Sequence, residues 1–236
     1  MTEEKDKLLN ILDGLKKHRF MTGDGTQDYY RFHIRRFRKI LSCIDFKPKQ
    51  KILDVGSSPA YIAKALKDYG CDVEAIDFYL PTLFKDIPTH VMNIETEKFP
   101  FKNGTFDIVL FCDVIEHLLF NPEHVLKEIA RVLRPEGIMI LNTPNANAPY
   151  KHIAMLLGKN IQGDYHIYFN PQYHKGTIRG IYARHSFEWT LDQLKQILHD
   201  TGFTIRSMSW LHKTLGFREE ILITAVSKRE GNANDN

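Results

Sequence analysis

The 236-residue chain has few cysteines, no long apolar run and little net charge, and each shortage excludes a class of protein. Cys43, Cys71 and Cys112 are an odd number without paired spacing, which argues against a disulfide framework and against a zinc knuckle. No apolar stretch approaches the roughly 20 residues that a membrane-spanning helix needs. A net charge of +3 at pH 7 is too small to indicate nucleic-acid binding by itself.

The first residues are too acidic and polar for a signal peptide, so we expect a cytoplasmic protein without a membrane span. The length fits one α/β domain with a full hydrophobic core. Helical spacing of apolar residues predicts two N-terminal helices within residues 1–46, ahead of a main domain at residues 47–228. The polar residues 229–236 are expected to form a disordered tail.

Residues 51–78 carry the most informative pattern: an apolar strand, a turn of small residues, a helix, and a second strand that ends on an acid. The small residues at 56–60 let a ligand approach the backbone where a helix begins and its N–H groups point outward. Asp77 follows about 20 residues later, where a carboxylate can accept hydrogen bonds from two ribose hydroxyls. The pattern predicts half of a nucleotide-binding βαβ unit and therefore a nucleotide-like cofactor.

This order of elements resembles the class I S-adenosylmethionine (SAM) methyltransferases more than the nicotinamide dehydrogenases. In that family the first strand ends in acid-x-Gly-x-Gly-x-Gly, and residues 54–60 match it with Ser58 and Ala60 in place of the later glycines. Further matches follow in the family's order at residues 93–109, 110–118 and 131–137. The resemblance implies an α/β fold, a Rossmann-like seven-stranded sheet that is mostly parallel, with helices on both faces, an antiparallel last strand and an N-terminal helical cap.

The resemblance also implies where SAM is bound. Asp77 would hold its ribose, Asn93 and Ile94 its adenine, and the bend at Gly56 its amino-acid end. The residues assigned to the cofactor are Asp54, Gly56, Ser57, Ser58, Ala60, Asp77, Phe78, Asn93, Ile94, Cys112 and Asp113. The segment at about 145–185, which is rich in Tyr, His, Gly and Asn, lies where this fold class keeps its substrate lid.

Asp113, Glu116 and His117 stand at positions i, i+3 and i+4, so one helical turn would direct all three side chains to the same side. Two carboxylates and an imidazole suit Mg²⁺ or Mn²⁺ better than a thiol-binding metal. Together with residues 142–145 and 184–190, this segment is similar to the small-RNA 3′-terminal 2′-O-methyltransferases, whose metal holds the terminal ribose hydroxyls. That resemblance implies a metal site made of Asp113, Glu116, His117 and His185.

The same motifs also occur in metal-free relatives, among them ubiquinone-type and glycan-modifying O-methyltransferases. In that interpretation Glu116 and His117 form a polar pair near the sulfonium, and His185 is a general base or a helix-capping contact. Because the sulfonium is already activated, the protein has only to align an acceptor oxygen and remove its proton. His117 and His185 are the best candidates to take that proton.

We therefore predict an enzyme that uses SAM to methylate a hydroxyl of a small molecule, a lipid-linked intermediate or a saccharide. A metal-assisted RNA 2′-O-methyltransferase is the first alternative, and the basic helix at residues 31–39 is compatible with a phosphate contact or with a solvated face. The two replaced glycines motivate a second alternative, a non-catalytic SAM-fold binding module. A nicotinamide oxidoreductase is less favoured, and the acceptor and the oligomeric state stay open.

Overall fold

The computed structural model describes residues 3–20, 28–80, 83–159, 185–211 and 219–228. Most of the expected lid, residues 160–184, and the expected tail, residues 229–236, lie outside the described residues. None of the helices in the described part of the chain has both the length and the apolar character needed to cross a membrane.

Two helices precede the sheet. Helix α1 comprises Glu3–Gly14 and continues into a 3₁₀ turn at Leu15–Lys17, and helix α2 comprises Tyr29–Ser42. Asp28 precedes α2 and its side chain accepts a hydrogen bond from the backbone N–H of Arg31, as helix N-caps commonly do. The Tyr30 hydroxyl donates to the backbone carbonyl of Leu12 at 2.9 Å and so ties α2 to α1.

Strands and helices then alternate along the chain. The elements are β1 (Lys51–Val55), α3 (Tyr61–Tyr69), β2 (Asp72–Asp77), β3 (Thr89–Val91), β4 (Phe106–Cys112), a 3₁₀ turn (Ile115–His117), α4 (Pro122–Val132), β5 (Leu133–Pro144), α5 (Pro149–Leu156), α6 (Leu191–Asp200), β6 (Phe203–Leu211) and β7 (Glu220–Ser227). The strands form one seven-stranded sheet in the order β3-β2-β1-β4-β5-β7-β6. Strand β7 pairs antiparallel with both neighbours, whereas β1 to β5 pair in parallel, so the predicted sheet is confirmed.

Strand β1 lies in the middle of the five parallel strands, and its apolar run is buried on both faces, as in other parallel sheets. Ile52 packs in a hydrophobic cluster with α1, α2 and α3, and the next residue, Leu53, packs in a second cluster with α4 and α6. Successive side chains of a strand point to opposite faces. Helices therefore cover both faces of the sheet, and the N-terminal helices pack on the same core as α3.

The strand order reverses between β1 and β4. These two strands are neighbours in the sheet, with Asp54 opposite Leu110, while β2 and β3 extend from the other edge of β1. In open α/β sheets, ligands bind outside the carboxyl ends of the strands at such a switch point. The fold therefore places the candidate site just beyond Val55 and Cys112.

Candidate active site

A first cavity of about 250 Å³ opens at the carboxyl ends of the central strands, beside the switch point. Met92, Ile94 and Leu118 give it an apolar side, and Ser58 and Asp77 contribute polar groups. Its mostly apolar lining and its few convergent polar groups are typical of a cofactor pocket. The predicted cofactor residues Phe78 and Gly56 also line it.

The turn after β1 brings its backbone close to this cavity. Gly56 adopts φ 78°, and a Cβ atom at this position would lie 2.3 Å from a methyl group of Val114. The backbone N–H of Ser58 donates to the Asp77 carboxylate at 2.9 Å, which holds the turn against the end of β2. Ala60 has a left-handed φ of 66°, a conformation that glycine would favour. Of Ser58 and Ala60, the two residues that stand in place of glycines, only Ala60 therefore has a strained backbone.

A narrow recess continues from the first cavity towards α2. Its walls include Arg36, Asp54, Ser57 and Cys112. The Ser57 hydroxyl is buried and has no hydrogen-bond partner among the described residues, and burial raises the pKa of the Cys112 thiol so that the thiol stays neutral. Burial, reinforced by the charge of Asp77, raises the pKa of Asp54 to about 7. The recess therefore offers both hydrogen bonds and charge to a small ionic group.

The raised pKa of Asp54 makes stability depend on pH, and Asp54→Asn should remove that dependence. The unfolded chain ionises this carboxyl near pH 4, whereas the folded protein keeps it protonated to about pH 7. Stability therefore falls as pH rises through this window, by up to about 4 kcal/mol above pH 7. Denaturant unfolding at about pH 5 and about pH 8 should show that the stability of the variant relative to the wild type is greater at the higher pH.

The control for this comparison is Asp192→Asn, because the Asp192 side chain is 91% exposed on α6. This substitution should leave the pH profile of unfolding unchanged. Equal behaviour of the two variants would contradict the assignment of the pH dependence to Asp54.

Helix α2 contributes a buried arginine, Arg36, that the sequence showed only as one of several basic residues. Its guanidinium is paired with the carboxylate of Asp113 and lies 3.8 Å from Glu220, and it also bonds to the hydroxyl of Tyr29. Burial raises the pKa of Tyr29 to about 12. Arg36 lies four residues before Ile40 on the apolar stripe of α2, and a charge on that stripe was the available signal.

The structure corrects the prediction that Asp113 shares a metal-binding face with Glu116 and His117. Its backbone is left-handed, with φ 53°, and the short 3₁₀ turn begins only two residues later, so α-helical spacing does not apply. Its carboxylate is directed to Arg36 instead. The cluster that does form contains Glu116, His117 and His185, with one potential ligand atom of each within 4.8 Å of the others.

A second cavity of about 550 Å³ is lined by all three residues of this cluster. Ser58, Asp113 and His117 line both cavities, so the two spaces meet at these residues. Glu116 and His185 line only the second cavity. A group carried in the first cavity can therefore meet a molecule in the second one beside the cluster of Glu116, His117 and His185.

Glu116 is almost fully buried between the second cavity and β5. One carboxylate oxygen accepts from the Thr143 hydroxyl at 3.0 Å, and the other is buried without a hydrogen-bond partner among the described residues. Burial, reinforced by the charge of Asp113, raises the pKa of Glu116 well above its usual range. The backbone carbonyl of Glu116 accepts from the N–H of Ser186 at 2.7 Å, which holds the neighbouring His185 close to Glu116 and His117.

Asn93, which was predicted to hold the adenine, bonds to its local backbone. Its side-chain oxygen accepts from the backbone N–H of Glu95 at 3.0 Å, and Asn93 does not line the first cavity, whereas its neighbour Ile94 does. The buried carboxylate of Glu95 in turn accepts from the backbone N–H groups of residues 119–121. These bonds tie the apolar side of the first cavity to the loop that follows His117.

This fold and this pair of cavities define a Rossmann-like domain that binds a nucleotide-like cofactor at its switch point. Residues 27–208 match the sequence model of a family described as a methyltransferase domain. That match covers more than half of the chain, which therefore belongs to this family, within the class I SAM-dependent methyltransferases. The predicted family is confirmed.

Curated relatives are similar over parts of their length. The ubiquinone biosynthesis O-methyltransferase of Aeromonas salmonicida is 24% identical, over 69% of this chain and 66% of the relative. The demethylmenaquinone methyltransferase of Paenarthrobacter aurescens is 26% identical, over 56% of this chain and 51% of the relative. The chain spans about half the length, or less, of most of the curated relatives it matches. These similarities support methyl transfer and leave the acceptor undetermined.

Solved structures share the fold at low sequence identity. A protein of Pyrococcus horikoshii is 20% identical, with a TM-score of 0.62 over 89% of this chain and 95% of that one. The 1,6-didemethyltoxoflavin-N1-methyltransferase of Burkholderia thailandensis, with bound S-adenosylhomocysteine, is 13% identical, with a TM-score of 0.59 over 97% of this chain and 92% of that one. These likenesses establish the fold alone.

Proposed function

We propose that this protein transfers the methyl group of SAM to a hydroxyl of a small-molecule, lipid-linked or saccharide acceptor held in the second cavity. The observation that carries the proposal is the junction of the two cavities at Ser58, Asp113 and His117. Donor and acceptor in the two spaces would meet there, and holding reactants together in this way can account for much of a rate enhancement. The ubiquinone O-methyltransferase among the relatives supports an oxygen acceptor.

The described residues can hold each part of the cofactor. The Asp77 carboxylate accepts from the backbone N–H groups of Ser58 and Tyr79 and would also accept from the ribose hydroxyls of the cofactor. The apolar side of the first cavity fits an adenine ring. Arg36 in the recess would bind the carboxylate of the amino-acid end, and Ser57 would give it a hydrogen bond. Bound SAM supplies an activated methyl group.

The cluster at the junction would handle the acceptor proton. His117 and His185 have their ring centroids 5.0 Å apart in an edge-to-face arrangement, and both line the second cavity. Either imidazole in its neutral form can accept the hydroxyl proton as the methyl group is transferred. Burial raises the pKa of Glu116, and in its protonated form Glu116 would donate a hydrogen bond to the acceptor rather than compete for its proton.

The proposal is tested by calorimetry with S-adenosylhomocysteine and by transfer of labelled methyl from SAM to catechols, methyl glycosides and short RNAs. We expect S-adenosylhomocysteine to bind, and Asp77→Ala to weaken it about 10-fold to 100-fold, because bonds to a charged group contribute about 1.5–3 kcal/mol. Asp192→Ala on the exposed face of α6 is the control and should bind normally. Absence of binding in the wild type would favour a non-catalytic module, and label found only on nitrogen would contradict O-methylation.

The cluster of Glu116, His117 and His185 favours one second candidate, a metal-assisted form of the same reaction. Two imidazoles and a carboxylate within 4.8 Å of one another fit Mg²⁺ or Mn²⁺, and Asp113, held by Arg36, is not placed as a further ligand. A bound ion would hold vicinal hydroxyls of a ribose terminus. Calorimetry with Mn²⁺ on the protein loaded with S-adenosylhomocysteine decides between the two: stoichiometric binding that His185→Ala abolishes supports the metal, and no binding contradicts it.

A further inference from the structure

A buried ion pair contacts His185, one of the three residues of the cluster. Lys151, from α5, is only 3% exposed, and its ammonium contacts one carboxylate oxygen of Glu188. The other oxygen of Glu188 lies 3.3 Å from Nδ1 of His185. The three side chains thus form a chain of polar contacts that begins inside the fold and ends at the second cavity.

The backbone on both sides of Glu188 is fixed, so this contact has a defined geometry. The N–H of Ser186 donates to the carbonyl of Glu116, and the N–H of Ala146 donates to the carbonyl of Trp189 at 3.0 Å. The Trp189 indole N–H also reaches the carbonyl of Ile115 at 3.4 Å. The backbone of Glu188 is therefore held between two anchored neighbours, which fixes the position from which its side chain reaches His185.

The contact with Glu188 determines which nitrogen of His185 can accept a proton. An ionised carboxylate only accepts hydrogen bonds, so Nδ1 must carry the hydrogen that it donates to Glu188. In a neutral imidazole the other nitrogen, Nε2, then carries the lone pair. Nε2 lies on the opposite side of the ring from the Glu188 contact, and His185 also belongs to the cluster with Glu116 and His117. Burying an ion pair gives little net stability, so we assign the pair of Lys151 and Glu188 to the orientation of His185 rather than to the stability of the fold.

We propose that Lys151 and Glu188 are positioning residues that fix the tautomer of His185 and present its Nε2 to the second cavity as the proton acceptor. This inference rests on the proposed function and selects His185 rather than His117 as the base. As the bond between the acceptor oxygen and the methyl carbon forms, the carbon–sulfur electron pair returns to sulfur. The acceptor O–H bond breaks, and its proton passes to Nε2.

The test is histidine-selective ¹⁵N NMR of the full chain with S-adenosylhomocysteine. In the wild type we expect His185 as a single Nδ1-protonated tautomer, unlike the exposed His152. Glu188→Gln combined with Lys151→Met keeps the charge balance and should remove that single tautomer while leaving S-adenosylhomocysteine affinity within about 2-fold, since neither residue lines the first cavity. Glu123→Gln, which removes an exposed pair with Lys127, is the matched control.

Each outcome separates this inference from the function on which it rests. A wild-type His185 protonated on Nε2, or a double variant with an unchanged tautomer, overturns the positioning role even if S-adenosylhomocysteine binds. Selective broadening of His185 by stoichiometric Mn²⁺ overturns the role of base, because a metal-bound Nε2 has no lone pair for a proton. Failure of the wild type to bind S-adenosylhomocysteine overturns the proposed function, whereas the tautomer result still decides the geometry.

Discussion

Gly56→Ala should abolish measurable binding of S-adenosylhomocysteine and destabilise the fold. The left-handed backbone, at φ 78°, costs a non-glycine residue about 1–2 kcal/mol. The added Cβ would also lie 2.3 Å from a methyl group of Val114, and overpacking of this kind costs about 1–3 kcal/mol. Both effects displace the turn that borders the first cavity. Calorimetry and denaturant unfolding measure the two losses.

Two further variants separate the clash from the backbone strain. Gly202→Ala has a similar φ of 87° with open space around it, far from the cavities, so it should show a modest loss of stability and normal binding. Gly56→Ala combined with Val114→Ala removes the clash and should recover part of the lost stability. If Gly56→Ala binds S-adenosylhomocysteine as the wild type does, the proposed placement of the cofactor is wrong.

Arg36→Met should be the most destabilising single change among the side chains of the site. It leaves the carboxylates of Asp113 and Glu220 buried without the guanidinium that now lies beside both. Breaking a buried ion pair by removing one partner costs about 3–5 kcal/mol. If Arg36 binds the amino-acid end of SAM, affinity for S-adenosylhomocysteine should also fall at least about 10-fold.

The pH dependence of this variant has a defined sign. Without its cation, a buried carboxylate has a folded-state pKa above its unfolded value of about 4, so the folded form holds the extra proton. The instability of Arg36→Met should therefore be smaller at about pH 5 than at about pH 8. Arg38→Met, on the same helix, removes a half-exposed pair with Asp13 and should cost at most about 1 kcal/mol at either pH. Equal losses from the two substitutions would contradict a structural role for the buried pair.

The local features of the site were predictable because they depend on neighbours in the sequence. The turn at Gly56 and the acid at Asp77 lie at the ends of β1 and β2, whose apolar runs marked them as buried parallel strands. Parallel pairing of these strands brings their carboxyl ends to one edge of the sheet, so Gly56 and Asp77 had to lie close together. The hydrogen bond from Ser58 to Asp77 shows that they do.

The predicted position of Asp113 was wrong because its spacing from Glu116 and His117 places the three side chains on one face only in a continuous α-helix. A single left-handed residue before a 3₁₀ turn redirected its carboxylate to Arg36, which is distant in sequence. The side-chain oxygen of Asn93 bonds to the backbone two residues on, a local contact that asparagine commonly makes.

The sequence by itself determined the nucleotide-binding βαβ unit and the edge at which a cofactor would bind, because hydrophobic periodicity and small-residue turns act over a few residues. Its resemblance to the class I SAM methyltransferases implied the seven-stranded sheet and the family. Only the tertiary structure decided which charges meet. Arg36 with Asp113 and Lys151 with Glu188 are pairs that join segments far apart in the chain. Their contacts follow from the packing of α2 and α5, and packing depends on the whole core rather than on any local pattern.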